Sequence, residues 1–407
     1  MFTWLPRPTV GQSTGNDGFR ILRARPAPAR LRGTAEPLAD IWTYDGIPPG
    51  GVLRVRRGDE LRARLVNELG EETTLHWHGI RGPNAMDGVP GLTQSPVAAD
   101  ASFDYRFAPP DAGTFWFHAA APTQRDRGLS GALIVDEPIP PAVDHDAVLM
   151  FNDWPLAAGT PMTVNAQPAL DIPVKANQRL RLRIINATRT AAMALRVEQH
   201  RATVVAIDGQ PAEPFEPRDS RVSLGPGNRI DLLADMTLAP GATSALTLIS
   251  AQGERPIARL VYNAGSPARA TPLPDPQPLP ANPLPSRIEL RNAQRVDLAV
   301  ERGARPWMPS AGPFGPPLFS VKRGRTAVLT LMNRMPTLAS LHLHGHHARL
   351  LDNLDDGWKP FWLDTVVVAA QQTARIAFVA DNPGKWLVAA QPLQPDDPGM
   401  ATWFEVT

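Results

Sequence analysis

The sequence predicts an all-β protein built from three similar units, and three observations carry that prediction. A pattern recurs along the chain, as VRRGDELRARLVN over Val55–Asn67, VKANQRLRLRIIN over Val174–Asn186 and VKRGRTAVLTLMN over Val321–Asn333. Each copy runs from Val to Asn with apolar residues alternating between, the period-2 signature of one amphipathic strand with a turn before it. The 407 residues include 45 Pro and 31 Gly, a supply that disfavours long helices and suits many short strands joined by turns. A repeat of this size divides the chain into three lengths, each able to bury its own core.

The first unit spans residues 18–137. It holds the Pro-Gly turn at Pro48–Gly51, the first repeat, LHWHG, the irregular GPNAMDGVPGLTQSP, then FDYRF and GTFWFH. The second, residues 144–264, contains MFNDW, the middle repeat and the turn DGQPAEPF after VVAI. Residues 265–286 are so rich in proline that they read as an extended, semi-rigid connector. It returns the chain so that the third unit, residues 287–407, packs against the first.

Two stretches carry the chemistry: LHWHG at Leu75–Gly79 and LHLHGHH at Leu341–His347. On a strand, residues two apart share a face, so His76 and His78 point one way, as do His342 and His344. Neutral imidazole suits copper and zinc, and two such pairs form halves of one site if the fold joins them. One pair alone reads as readily as polar residues facing solvent. The repeat favours the site: nine and eleven steps beyond Asn67 stand His76 and His78, and the same steps beyond Asn333 reach His342 and His344. From Asn186 they reach Leu195 and Val197, so the middle unit is structural. His118, in the aromatic strand GTFWFH, is a third candidate, with a buried packing role as the competing reading. His145 and His200 are isolated and read as structural or surface residues, and His346 and His347 as strand-end packing.

Composition removes several classes. With 41 basic and 40 acidic residues the net charge is +1, which favours neither nucleic acid nor an anionic membrane. No run approaches the ~18 apolar residues of a membrane-crossing helix. There are no cysteines, hence no disulfide, thiolate ligand or cysteine nucleophile, and the redox compartment stays open. The first residues lack the charged-then-apolar design of a secretory signal. Nothing in the chain names a small-molecule or protein partner.

Taken together, LHWHG, NAMDGVPGLTQSP, GTFWFH and GLSGALIVDE in the first unit, NDW, RLRIINA, AIDGQP and GPGNRIDLLAD in the second, and LHLHGH, WLDTV, ADNPGKW and the final GM resemble the bacterial, laccase-like multicopper oxidases. The resemblance runs from about Trp42 to Val406 and implies three cupredoxin-like Greek-key β-sandwich domains with copper between the first and third. It also implies an exported, periplasmic location. Matched to the family pattern, His76 and His342 fall on the type 2 copper, His78 and His118 on one type 3 copper and His344 on the other.

The remaining ligand positions are lost. Ala120 stands where a further type 3 histidine belongs, and Ala339 where the first type 1 histidine belongs. The C-terminal pattern falls on WLVAAQPLQPDDPGM, so Ala389, Ala390, Gln391 and Pro395 replace its three histidines and its cysteine, and only Met400 remains. A lone thioether is at best a weak axial ligand. Two acids keep family positions: Asp87, which orients imidazole or tunes bound water unless it only shapes the turn before Gly88, and Asp396, on the implied proton path or simply in a loop.

The expected cofactor is copper, one ion held firmly by His76 and His342 and a second more weakly by His78 and His118 with Gln391. The expected function is a copper-binding oxidase relative that does not run the ordinary laccase cycle. The alternative is a copper-free, non-enzymatic cell-envelope scaffold or interaction protein on the same fold.

Overall fold

The computed structural model describes residues 15, 17–33, 36–156, 159–250, 253–302, 314–351, 358–394, 397 and 399–407. Pro395 and Asp396 lie outside them. Six sheets pair into three sandwiches, and the one α-helix among the described residues is the five-residue Pro122–Asp126.

In the first sandwich, strands Ala39–Tyr44, Arg20–Ala29, Leu61–Asn67 and Ser102–Phe107 form one sheet. Strands Val52–Arg56, Ser130–Asp136, Gly113–Ala119 and Leu75–His78 form the other. Leu22, Leu65, Tyr105, Leu75, Trp77 and Phe117, drawn from both, fill the space between. The second sandwich sets a six-stranded sheet centred on Arg179–Asn186 and Arg229–Asp235 against a five-stranded sheet containing Met193–Val197. The third sets the sheet of Gln294–Val300, Thr326–Asn333 and Thr373–Val379 with Ala348–Leu351 and Trp358–Leu363 against that of Phe319–Val321, Met400–Val406, Gly384–Pro392, Ala339–Leu343 and Thr365–Val368. Between Tyr262 and Gln294 there is no strand. No helix among the described residues is long and apolar enough to cross a membrane.

The repeat proves to be a crossing between sheets rather than one strand. Val55, Val174 and Val321 end or nearly end a strand of one sheet, a turn follows, and the rest of each copy forms a strand of the facing sheet, closing on Asn67, Asn186 or Asn333. The buried Asn has a job that explains its recurrence. Asn67 donates to the carbonyls of Glu71, Val97 and Ala98 and accepts from the Leu69 N–H. Asn333 makes the same set with Thr337, Val368, Ala369 and Met335, and Asn186 a close variant with Ala191, Leu224 and Thr188. Each Asn thus satisfies the backbone of the loop that delivers the following strand, and buried backbone groups must be satisfied.

Two further expectations change. The middle strand Arg179–Asn186 is buried at every residue instead of amphipathic. Its outward arginines are covered and paired, Arg181 with Glu137 and Asp231, Arg183 with Asp146 and Asp231. Step-counting from Asn186 also lands on the wrong face: Leu195 and Val197 point into the second core, whereas Leu75, Trp77, Leu341 and Leu343 are the core-facing residues of the first and third units. Alternation makes Ala194 and Arg196 the true counterparts of the histidines. The middle strand still carries no imidazole.

Candidate metal centre

Strand Leu75–His78 pairs antiparallel with Gly113–Ala119, setting His76 opposite His118. Strand Ala339–Leu343 pairs with Gly384–Pro392, setting His342 opposite Ala389, and His344 follows directly. Because the cores take the alternate residues, both sets of imidazoles leave their own sandwiches and meet where the first faces the third. The Nε2 atoms of His76 and His342 are 3.2 Å apart, and His78 Nδ1 is 3.4 Å from His118 Nε2. All five histidines are buried, at most 8% exposed as whole residues.

The back nitrogen of each ring fixes its tautomer. His76 Nδ1 meets the Asp87 carbonyl at 2.8 Å, His118 Nδ1 the Ala119 carbonyl at 2.8 Å and His342 Nδ1 the Asp364 carbonyl at 3.1 Å, so each of these nitrogens carries a hydrogen and donates. His344 Nδ1 donates to the Asp87 carboxylate at 2.9 Å. The Thr365 hydroxyl gives its only hydrogen to Asp364, so it accepts from His78 Nε2 at 2.9 Å. Every front nitrogen is therefore a bare lone pair. At 3.2 and 3.4 Å these lone pairs face one another without a hydrogen between them, an arrangement that a cation placed between them would relieve. Protons are poor candidates: burial is the first cause holding His78 and His118 well below the ordinary imidazole value, His342 below it, and His344 down to about 3. A metal ion fits, since two nitrogens 3.2 Å apart suit two bonds of about 2 Å meeting near ~105°. Back-side hydrogen bonds of this kind are what orients metal-bound imidazole.

Three groups of donors among the described residues lie within 4.8 Å of one another: His76, His342 and His344; His76, His78 and His118; and His78, His342 and Asp364. The first two are the lone-pair side, and the third is the hydrogen-bonded back of the same rings. Thus His344, matched by the family pattern to a type 3 position, lies with His76 and His342.

Two buried carboxylates stand behind the rings. Asp87 faces His344 and His76, and its side chain goes to them rather than to the turn. Burial opposes its charge, but those two rings hold the carboxyl far below its usual range. No arginine or lysine pairs with it among the described residues, so its charge is balanced only by what the two rings hold. Gly88 has φ +84°, and a Cβ there would fall on the Leu75 carbonyl, so only glycine lets this turn bring Asp87 up to the rings. Asp364 accepts from both arms of the fully buried Arg229 and contacts His78, His342 and His347. Burial opposes its charge too, and Arg229 outweighs burial and holds the carboxyl well below normal. Arg229 also donates to the carbonyls of Thr114 and Gly227, and beside it Asp208 accepts from the Thr365 N–H. This polar knot joins all three sandwiches directly behind His78 and His342.

Ala120, Ala389 and Gln391 line the chamber that holds the five rings. Ala339, Ala390 and Met400 lie elsewhere, within the apolar core of the third sandwich, where Ala390 pairs with Met400 and Leu341. His346 packs against Phe378, Trp386 and Phe404. His347 meets Asp364 instead of merely packing. His200 bonds the Glu198 carbonyl and Tyr262, and His145 is half-buried at the start of its strand. Sequence reading missed Asp364, Thr365, Arg229 and Asp208. All four sit in the words WLDTV, AIDGQP and GPGNRIDLLAD quoted above, and for the three charged ones the available signal was a lone charge beside apolar strand residues.

Three β-sandwiches with an imidazole-built centre where the first meets the third define a protein of the copper-oxidase class. The comparisons agree. Family models described as multicopper oxidase match residues 29–139, 112–248 and 286–407. The chain is similar to Lac15 from a marine microbial metagenome, with 34% identity, TM-score 0.82, 95% of this chain and 99% of that one covered. It is also similar to a multi-copper oxidase from Pseudomonas thermotolerans, with 32% identity, TM-score 0.84 and 95% and 98% coverage. Multicopper oxidase MmcO of Mycobacterium tuberculosis is 29% identical over 93% of this chain and 85% of its own length. The chain belongs to the multicopper oxidase family.

Proposed function

We propose that this chain is a copper-binding member of its family that does not run the ordinary laccase cycle. One Cu(II) is held by His76, His342 and His344, and a second, more weakly, by His78 and His118 beside Gln391. The observation that carries this is the pair of facing lone pairs at His76 and His342, 3.2 Å apart with both back nitrogens already donating. Bound copper would supply Lewis acidity and a one-electron couple. The chain's own part is to hold the rings: Asp87 fixes His76 and His344, while Asp364 and Thr365 fix His342 and His78. An amide oxygen is a poorer copper ligand than imidazole, which makes the second position the weaker.

The negative half of the proposal rests on the positions the family uses for electron entry. Ala339, Ala390 and Met400 offer one thioether in an apolar wall, and the chain contains no cysteine to ligate copper or link it to the cluster. An exported, periplasmic location belongs to the same reading and rests on the family alone. Copper-loaded protein should show the resonance of tetragonal nitrogen and oxygen ligation, lack an intense blue band, and consume no oxygen with phenolic electron donors. A strong blue colour that survives removal of loosely bound metal, or steady oxygen uptake, overturns the proposal.

A further inference from the structure

The chamber beside the imidazoles has an end that the firmly held copper on His76, His342 and His344 does not use. Val89, Leu387, Ala120 and Ala389 are apolar lining of the chamber, and Trp116, Gln391 and Arg125 supply polar groups. Apart from the imidazoles, the unmatched polar atoms of this lining are donors. Gln391, 6% exposed, turns its Oε1 toward Arg125 Nη2 across a long 3.4 Å, so its NH2 points away from the guanidinium, and Nε2 has no hydrogen-bond partner. The indole N–H of Trp116, 1% exposed, has none, and neither has Arg125 Nε. The nearest carboxylate to Arg125, that of Asp126 at 3.8 Å, is engaged by Arg189 at 3.0 Å. Burial accordingly lowers the Arg125 pKa, and Asp126 does not make up the difference. Buried donors without acceptors are costly and mark a missing partner. The space open to the centre of a water-sized sphere is about 50 Å³. One water needs roughly 10–15 Å³ on that measure, so the chamber takes a few waters or one small organic ion.

We propose that this end of the chamber binds a short monocarboxylate of two or three carbons, its carboxylate taken by Gln391 and Arg125 with the Trp116 N–H beside them, its alkyl end against Val89, Leu387 and the two alanines. Donors alone select an acceptor, the guanidinium selects a negative one, and the apolar wall favours an alkyl group over a bare oxyanion. The site exists because Ala120 and Ala389 are small and Gln391 is an amide, and it shares Gln391 only with the weaker copper position.

The test uses the full metal-free chain, so failure of copper binding does not decide it. Acetate is titrated by calorimetry and by saturation transfer to its methyl protons. One acetate should bind per chain, saturably. Gln391→Leu and Arg125→Gln should each weaken it by at least about ten-fold, as expected for hydrogen bonds to a charged group. Ala389→Leu or Ala120→Val should abolish it by filling the apolar end while keeping every donor, and Arg106→Gln, on the exposed surface, should change nothing. Far-ultraviolet circular dichroism confirms that each variant is folded. No saturable acetate binding overturns the proposal, and so does unchanged affinity in Gln391→Leu or in both filling variants. Nitrate binding as tightly as acetate and surviving Ala389→Leu would show a plain anion hole instead and also overturns it.

Discussion

Two regions of this molecule contrast sharply: the imidazole cluster between the first and third sandwiches, and the wall of Ala339, Ala390 and Met400 inside the third. In the cluster, each ring is buried with its back nitrogen committed to a specific acceptor and its front nitrogen bare. In the wall, the same family pattern would place ligands, and the side chains are small, apolar and closed into the core. The contrast teaches that polar groups persist in an interior only where something completes them. A wall without ligands packs as ordinary core, whereas five imidazoles with two carboxylates behind them keep donor atoms that could hold a metal.

The largest effect should come from breaking what lies behind the cluster. Asp364→Ala leaves the buried Arg229 with only the longer carboxylate contact, to Asp208, 3.5 Å away, and removing one partner of a buried pair costs up to about 3–5 kcal/mol. Chemical denaturation of the metal-free variant should show that loss. A change below ~1 kcal/mol would mean the knot does not brace the rings.

Acid should distinguish the regions next, because the cluster titrates and the wall of Ala339, Ala390 and Met400 does not. His78, His118, His342 and His344 all lie below the ordinary imidazole value of 6.5, chiefly through burial, with His344 at about 3. Below pH 6.5 the unfolded chain takes up protons that these folded rings refuse, so metal-free stability is full above that pH and falls as pH drops toward 3. Each ring contributes up to about 1.4 kcal/mol per pH unit. Asp208, raised to about 6 chiefly by burial, works the other way between its ordinary 3.8 and 6, and with one proton it blunts the slope without reversing it. Melting temperatures of metal-free protein at pH 7.5, 6.0 and 5.0, values about one proton-uptake range apart, should fall in that order. A flat profile would show that the rings take protons when folded.

The smallest effect belongs to the wall. Met400→Leu conserves volume and should cost less than about 1.5 kcal/mol while leaving copper content unchanged. Loss of copper in that variant would place a ligand where the structure shows core.

The sequence made the architecture legible because its signals are local. Alternation, turn residues and the Val-to-Asn repeat are written in consecutive positions, and the paired histidines follow from a strand's two-residue period. The repeat's inner structure was harder. That Val55 and Asn67 belong to facing sheets is decided by the turn between them, and the shift by which Ala194 and Arg196 replace Leu195 and Val197 on the outer face depends on the path of the loop after Asn186. The knot of Arg229, Asp364 and Asp208 was beyond reach for another reason. Its members come from different sandwiches, and a single charged residue in an apolar strand announces burial without naming its partner. The acceptors behind His76 and His118 are backbone carbonyls, which no residue type reveals.

Copper content tests the central claim most directly. After loading with Cu(II) and removal of loosely held metal, elemental analysis with electron paramagnetic resonance should find about one firmly bound ion per wild-type chain, with a second only at higher free copper, by the count of imidazole ligands. The His76→Ala, His342→Ala double variant, folded by circular dichroism, should retain no firmly bound ion. Equal copper in the two proteins, or none in the wild type at micromolar free copper, would contradict the account and leave the cluster a relic within a copper-free scaffold.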